Sequence, residues 1–120
     1  MEPPAPATVR LALVGFGNVN TALLRIELAK RDVIARDCGV RLVVVGVCDS
    51  KGGRVDTTRA SASGDQLHDQ QRGFDTKDLL EHKKAGNPVS TFPVGVACDG
   101  AVEMLQALGG DGYDILVSLM

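Results

Sequence analysis

Continuous apolar runs alternate with stretches of helical spacing along most of this chain. Residues 9–14 are apolar after Arg10, and residues 40–48 (VRLVVVGVC) are β-branched and nearly unbroken. Such runs predict strands covered on both faces, as in a parallel sheet. Between them, residues 18–36 predict a long helix. Its apolar positions Ala22, Ile26, Ala29 and Val33 recur at helical spacing with Val19 and Leu23 alongside, and Arg25, Lys30, Arg31 and Arg36 make the polar side. Gly39 stops it.

Residues 54–73 carry no apolar periodicity and predict a long surface loop. Asp75 then caps a short helix over residues 76–85, with Asp78 in its first turn, and Gly86-Asn87-Pro88 ends it. Residues 89–97 hold a short third strand that Pro93 confines to an edge. Asp99 is the expected cap of a helix over residues 100–108, stopped by Gly109-Gly110, and residues 113–120 form a last apolar strand. The alternation predicts an α/β fold, a Rossmann-like doubly wound parallel sheet with right-handed crossovers. In that order the fourth strand lies beside the first, across the switch point where ligands bind. One domain is expected over residues 9–120, behind a frayed Pro/Ala-rich tail at residues 1–8.

The first candidate chemistry is at the end of the first strand. Gly15-Phe16-Gly17 closes an apolar run, and Asn18 and Val19 open the helix at once. A glycine turn lets backbone approach a ligand, and a helix start presents unpaired N–H groups to an anion. Strand, turn and helix in this order predict a pyrophosphate site; a plain glycine turn is the alternative. Asn20 stands where the fingerprint takes a third small residue. It is expected to turn outward or hold the helix off, because forcing it inward costs about 1–3 kcal/mol.

The second candidate is Asp49, which closes the second strand and is followed by Ser50, Lys51, Gly52, Gly53 and Arg54. A carboxylate there accepts hydrogen bonds from an adenosine ribose, or simply ends a strand. Lys51 and Arg54 either hold a 2′-phosphate or are solvated loop charges. Asp49 repels that phosphate while Lys51 and Arg54 attract it. Both NAD and NADP therefore remain open as cofactors, with NADP slightly favoured.

Composition removes several classes. The chain has 120 residues, enough for one core, and is 44% hydrophobic. A net charge of −2, with one Tyr, three Phe and no Trp, gives no basic, aromatic surface for nucleic acid. No apolar run reaches the roughly 20 residues of a membrane span. Cys38, Cys48 and Cys98 are far apart and form no C-x-x-C. They predict no zinc site or redox dithiol and an intracellular, reducing compartment, cytoplasm or plastid; Cys48, at a strand end, is expected to be a buried, reduced thiol, with modification as the alternative. His68 and His82 are expected on the surface.

Three stretches resemble homoserine dehydrogenases of the short, monofunctional type. They are Leu13-Val14-Gly15-Phe16-Gly17-Asn18-Val19, with Leu24-Arg25 on the following helix, then Val44-Val45-Gly46-Val47-Cys48-Asp49-Ser50-Lys51-Gly52-Gly53, then Gly73-Phe74-Asp75-Thr76-Lys77-Asp78-Leu79-Leu80. The likeness runs over nearly the whole chain after residue 8, and VGVCDSKGG placed after GFGNV is its most specific part. It implies NAD(P)-dependent interconversion of aspartate 4-semialdehyde and homoserine, a step toward threonine, isoleucine and methionine. It implies Phe16, Gly17, Asn18 and Val19 at the phosphates and Asp49, Ser50 and Lys51 near the adenosine ribose, with Lys51 at a 2′-phosphate position in some relatives.

The chain departs from the family pattern at Asn20, where Gly is usual, and at Met120, where a Thr ends the fourth strand. The family's catalytic lysine and acidic substrate residues lie in a later domain. The expectation is the cofactor-binding part of such an enzyme, ending after about the fourth strand and inactive alone. The alternatives are a non-catalytic NADP-binding or association module, pairing with itself or with full-length relatives, and a Rossmann-like domain with an empty site.

Overall fold

A computed structural model describes residues 7–56, 73–109 and 112–118. Its centre is the first apolar run. β1 (Ala7–Val14) pairs in parallel with β2 (Val40–Asp49) on one side and with β5 (Ile115–Ser118) on the other. The last strand therefore lies beside the first, as the doubly wound order requires. The whole sheet has the order β4-β3-β2-β1-β5. The fold is α/β with a mixed sheet that is parallel at its centre, an arrangement compatible with a Rossmann-like fold.

The mixed character corrects the all-parallel expectation. Instead of entering a loop, the chain turns back after Asp49 and runs as β3 (Gly52–Val55), antiparallel to β2. Ser50 and Lys51 are the two turn residues, and Gly52 follows at φ 125°, a conformation that an L side chain resists. β3 has one apolar inward residue, Val55, too short a signal for period-two alternation to reveal. β4 (Val96–Cys98) adds antiparallel to β3 as the edge strand. Residues 89–97 are thus not one strand. Val89–Thr91 form a 3-10 turn, and Pro93 lies between that turn and the edge.

β1 and β2 slip by one residue: Leu11 pairs with Val44 but Ala12 with Gly46. The extra residue, Val45, resets the side-chain phase of β2. Leu11, Leu13, Val44 and Val47 consequently share one face, packed with Phe16, Leu24, Leu79, Phe74 and Phe92. Ala12, Cys48, Val55 and Cys98 share the other with Met104. α1 (Asn18–Val33) and α2 (Thr76–Lys84) supply the first layer, and α3 (Ala101–Leu108) the second.

α1 overturns a second expectation. Its buried residues are Asn20, Thr21, Leu24 and Glu27, whereas Ile26 is 59% exposed and Val33 40%. The helix turns its polar stripe inward because Glu27 has partners there. Its carboxylate accepts from Arg31 Nε and Nη2, both at 2.8 Å, and from Thr76 Oγ1 at 3.0 Å, joining α1 to α2. The same carboxylate holds the Arg31 guanidinium above its ordinary pKa, against the opposing effect of burial. The α-helix stops at Val33, and Ile34–Cys38 form a π turn that ends at Gly39 with φ 71°.

Asp75 caps α2 as expected, accepting from Asp78 N at 3.0 Å. Asp99 does not cap α3; Gly100 holds that position and makes no side-chain cap. Asp114 pins the start of β5 to β1, since Arg10 donates to its carboxylate through Nη2 at 2.8 Å and through Nε at 3.0 Å. His82 also differs from its surface expectation. Its Nε2 lies 3.0 Å from the Pro88 carbonyl oxygen, and its ring stands edge-on to Phe92, 5.3 Å between centroids. It brackets the 3-10 turn onto α2. Of the tail expected over residues 1–8, Ala7 and Thr8 belong to β1 instead, paired with Val40 and Arg41. Residues 1–6, residues 57–72 of the expected loop with His68, residues 110–111, Leu119 and Met120 lie outside the described residues.

Candidate functional site

The site is assembled at the C-terminal ends of the parallel strands. Gly15 leaves β1 at φ 95° and donates its N–H to the Cys48 carbonyl at 2.9 Å, so the first turn is tied to the end of β2. Phe16 is buried in the core on the α1 side of the sheet. Its ring anchors the turn, and only its main chain is available to a ligand. Gly17 is exposed, and a Cβ built on it would meet no atom within 4 Å. Open space in front of this residue is what close backbone approach requires.

α1 then begins with Gly17 as its N-cap and no side-chain cap, and its first turn holds no acidic residue. Thr21 N is the first to bond within the helix, to Gly17 O at 3.0 Å. The N–H groups of Asn18, Val19 and Asn20 thus have no intrahelical acceptor, at the positive end of the helix dipole. Thr21 Oγ1 also donates to Gly17 O at 2.8 Å, which stiffens this first turn.

Asn20 does not turn outward, which corrects the first of the two outcomes expected for it. It is fully buried, and its Nδ2 donates to Gly15 O at 2.6 Å. A side-chain amide therefore closes the glycine turn from inside, in place of close packing by a third small residue. The arrangement costs something: Asn20 Oδ1 is buried with no hydrogen-bond donor among the described residues. As an acceptor it serves a hydroxyl or water, not a phosphate oxygen.

Asp49, expected at a ribose, is held by main chain. Its Oδ1 accepts from Lys51 N at 2.8 Å and its Oδ2 from Val89 N at 3.0 Å. It closes the β2–β3 turn and fixes the 3-10 turn. Each carboxylate oxygen keeps a second lone pair, so ribose hydroxyls still have acceptors here. Ser50 and Lys51 are exposed at the tip of this turn. Arg54 is directed elsewhere: its Nε donates to Ser90 O at 2.9 Å and its Nη1 to Gly95 O at 3.0 Å. It clamps residues 90–95 to β3, which leaves Lys51 as the exposed cation beside Asp49.

Cys48 lies behind the first turn. Burial pushes its thiol up, and the Gly15 N–H offsets part of that rise. Cys98 is raised by burial as well, and only Cys38 is exposed. Among the described residues no cluster of three or more His, Cys, Asp or Glu side chains is placed to hold a metal, and no helix is long and apolar enough to cross a membrane.

A separate cleft of about 350 Å³ opens between α1, β2 and the start of α2, lined by Arg31, Arg41, Leu42, Val43, Phe74 and Thr76. Leu42 and Val43 pair with Val9 and Arg10, several residues before the glycine turn, so this cleft and the turn are different places. Glu27 is the contributor that sequence patterning misses, and Asn20, visible there as a departure from the fingerprint, is missed in its role. Both are polar residues inside an apolar helical pattern, a signal that becomes legible only once their partners are known. Compared with protein-family models, with curated proteins and with solved structures, the chain matches none.

Proposed function

We propose that this chain grips the pyrophosphate of NAD(P) and is the nucleotide-binding part of a homoserine dehydrogenase-like oxidoreductase. The observation that carries the reading is the pairing of open space before Gly17 with an uncapped helix start behind it. Together they provide room for a phosphate and three directed N–H donors to meet it. The site fits the group in its pyrophosphate half. Asn18, Val19 and Asn20 donate through main chain, Gly15 and Gly17 give access, and Phe16 and Asn20 hold the turn rigid. At the adenosine half, Asp49 and Ser50 face the ribose, and Lys51 supplies the charge that favours NADP over NAD. The resemblance of VGVCDSKGG after GFGNV supplies the enzyme class.

When bound, the nicotinamide gives or accepts a hydride. The residues of this chain orient the cofactor for that step. By the resemblance, the proton donor and the substrate-binding acids come from a later domain.

Thermal unfolding of the chain with NADP, with NAD and with neither tests the proposal. Ligand at about 100 times its dissociation constant adds about 2.7 kcal/mol to the native state. The informative variant is Gly17→Ala. Its φ of −97° accepts alanine and its Cβ touches nothing, so the unliganded protein should lose no more than about 1 kcal/mol. The same methyl occupies the phosphate approach, so the NADP shift should shrink or vanish. A cooperatively unfolding chain with no shift from either cofactor would refute the proposal. An NADP shift untouched in Gly17→Ala would move the ligand elsewhere.

A further inference from the structure

One peptide group connects α2 to the carboxylate at the end of β2. The carbonyl oxygen of Pro88 lies 3.0 Å from His82 Nε2, and the N–H of Val89, the other edge of the same peptide, donates to Asp49 Oδ2 at 3.0 Å. A trans peptide is a rigid plane with its C=O and N–H on opposite edges, so whatever fixes one edge aims the other. A carbonyl oxygen only accepts, which puts the ring hydrogen of His82 on Nε2. Thr91 grips the same oxygen, donating through Oγ1 at 2.6 Å and through N at 3.0 Å. Its hydroxyl hydrogen is thereby committed, and Thr91 Oγ1, 2.9 Å from His82 Nε2, is a second acceptor for the ring hydrogen.

Thr91 belongs to the 3-10 turn and moves with it, whereas His82 holds the oxygen from a separate element, α2. The buried side chains of Val89 and Phe92 set the depth of the turn, and His82 sets the tilt of its first peptide. Asp49 Oδ1 is held separately, by Lys51 N. Without the Val89 N–H the carboxylate can rotate about that single remaining bond, and the acceptors it offers a ribose lose their direction. We propose that His82, which touches no cofactor, is a positioning residue for Asp49 and so tunes the adenosine-ribose end of the site. The inference rests on the NAD(P) reading of that site. NAD presents both ribose hydroxyls to the carboxylate, whereas NADP carries a phosphate on the 2′ oxygen. His82 therefore matters more for NAD than for NADP.

Calorimetric titration of the full chain with NAD, NADP and inorganic pyrophosphate tests it, together with amide hydrogen exchange at Val89. In His82→Ala the NAD dissociation constant should rise about two- to tenfold, the NADP constant by less, and the pyrophosphate constant not at all. Exchange of the Val89 N–H should speed up in the same variant. His82→Gln, whose amide also donates, should recover most of the NAD affinity. In an Asp49→Ala background His82→Ala should change NAD affinity no further. Unchanged NAD affinity in His82→Ala overturns the proposal, as does an equal loss for all three ligands or a full effect in the Asp49→Ala background. A chain that binds none of the three while Val89 exchange still depends on His82 overturns the NAD(P) reading, and the ribose role of His82 with it. Unchanged Val89 exchange overturns the peptide link itself.

Discussion

Arg31→Met should cost this protein more than Glu27→Gln, although the two side chains share one ion pair. An exposed pair at this helical spacing is worth only about 0.3–0.5 kcal/mol. Here the partners are unequal: the Glu27 side chain is 4% exposed and that of Arg31 48%. Removing the guanidinium leaves a buried carboxylate with, among the described residues, Thr76 Oγ1 alone to donate to it. Breaking a buried pair from that side costs about 3–5 kcal/mol. Removing the carboxylate's charge leaves a guanidinium that already reaches water, and a glutamine oxygen still accepts from Thr76. That side costs about 1–2 kcal/mol, the worth of hydrogen bonds to a charged group. The double variant buries no unpaired charge, so it should be no worse than Arg31→Met alone. The coupling is therefore at least about 1–2 kcal/mol, the whole cost of Glu27→Gln, and the single effects do not add. Urea unfolding with linear extrapolation measures all four corners of the cycle. At this chain length 1 kcal/mol moves the midpoint of thermal unfolding by about 4 °C, so Arg31→Met should lose about 12 °C or more. Equal single costs, or a double variant at their sum, would refute the asymmetry and with it the buried carboxylate.

The other expected outcomes are simpler. A thiol reagent at neutral pH should modify Cys38 at once and reach Cys48 and Cys98 only on unfolding; fast reaction of all three would contradict their burial. Burial raises both inner thiols above the ordinary 9.0, so the unfolded chain ionises first. Their contribution to stability is intact below that value and is lost as pH rises through the folded pKa. The decline is at most about 1.4 kcal/mol per pH unit for each thiol, and a flat alkaline limb in unfolding free energy would count against it. Gly52→Ala should destabilise by at least about 2 kcal/mol, because φ is 125° and the new Cβ lies 2.8 Å from Cys98 O; a neutral result would mean the β2–β3 turn differs. Arg54→Met should cost about 1–3 kcal/mol through two lost main-chain contacts while leaving any preference for NADP over NAD in place; loss of that preference would return Arg54 to the 2′-phosphate.

Local chemistry in the sequence determined the scaffold. Continuous apolar runs specify β1 and β2, because a strand buried on both faces can carry little else. The run that marks β5 is legible too, although that strand lies at the sheet edge with Ile115 and Leu116 exposed among the described residues. The Gly15 turn, the start of α1 and the Asp75 cap are equally legible, since each is fixed by what a few adjacent residues allow their own backbone to do. The tertiary structure decided where side chains go. Helical spacing says that Val19, Ile26 and Val33 share a face, but not that this face points outward. That depended on Glu27 finding Arg31 and Thr76 beneath it, 4 and 49 residues away along the chain. Asn20 reads as a misfit until its amide meets Gly15 O, and Arg54 reads as a phosphate ligand until the carbonyls of Ser90 and Gly95 arrive. β3 is hidden because four residues with one inward valine carry almost no period of their own, and pairing with β2 makes the strand. Backbone preference is a property of neighbours in sequence. The inward face, the turned amide and the occupied guanidinium are properties of neighbours in space, and only the folded chain supplies those.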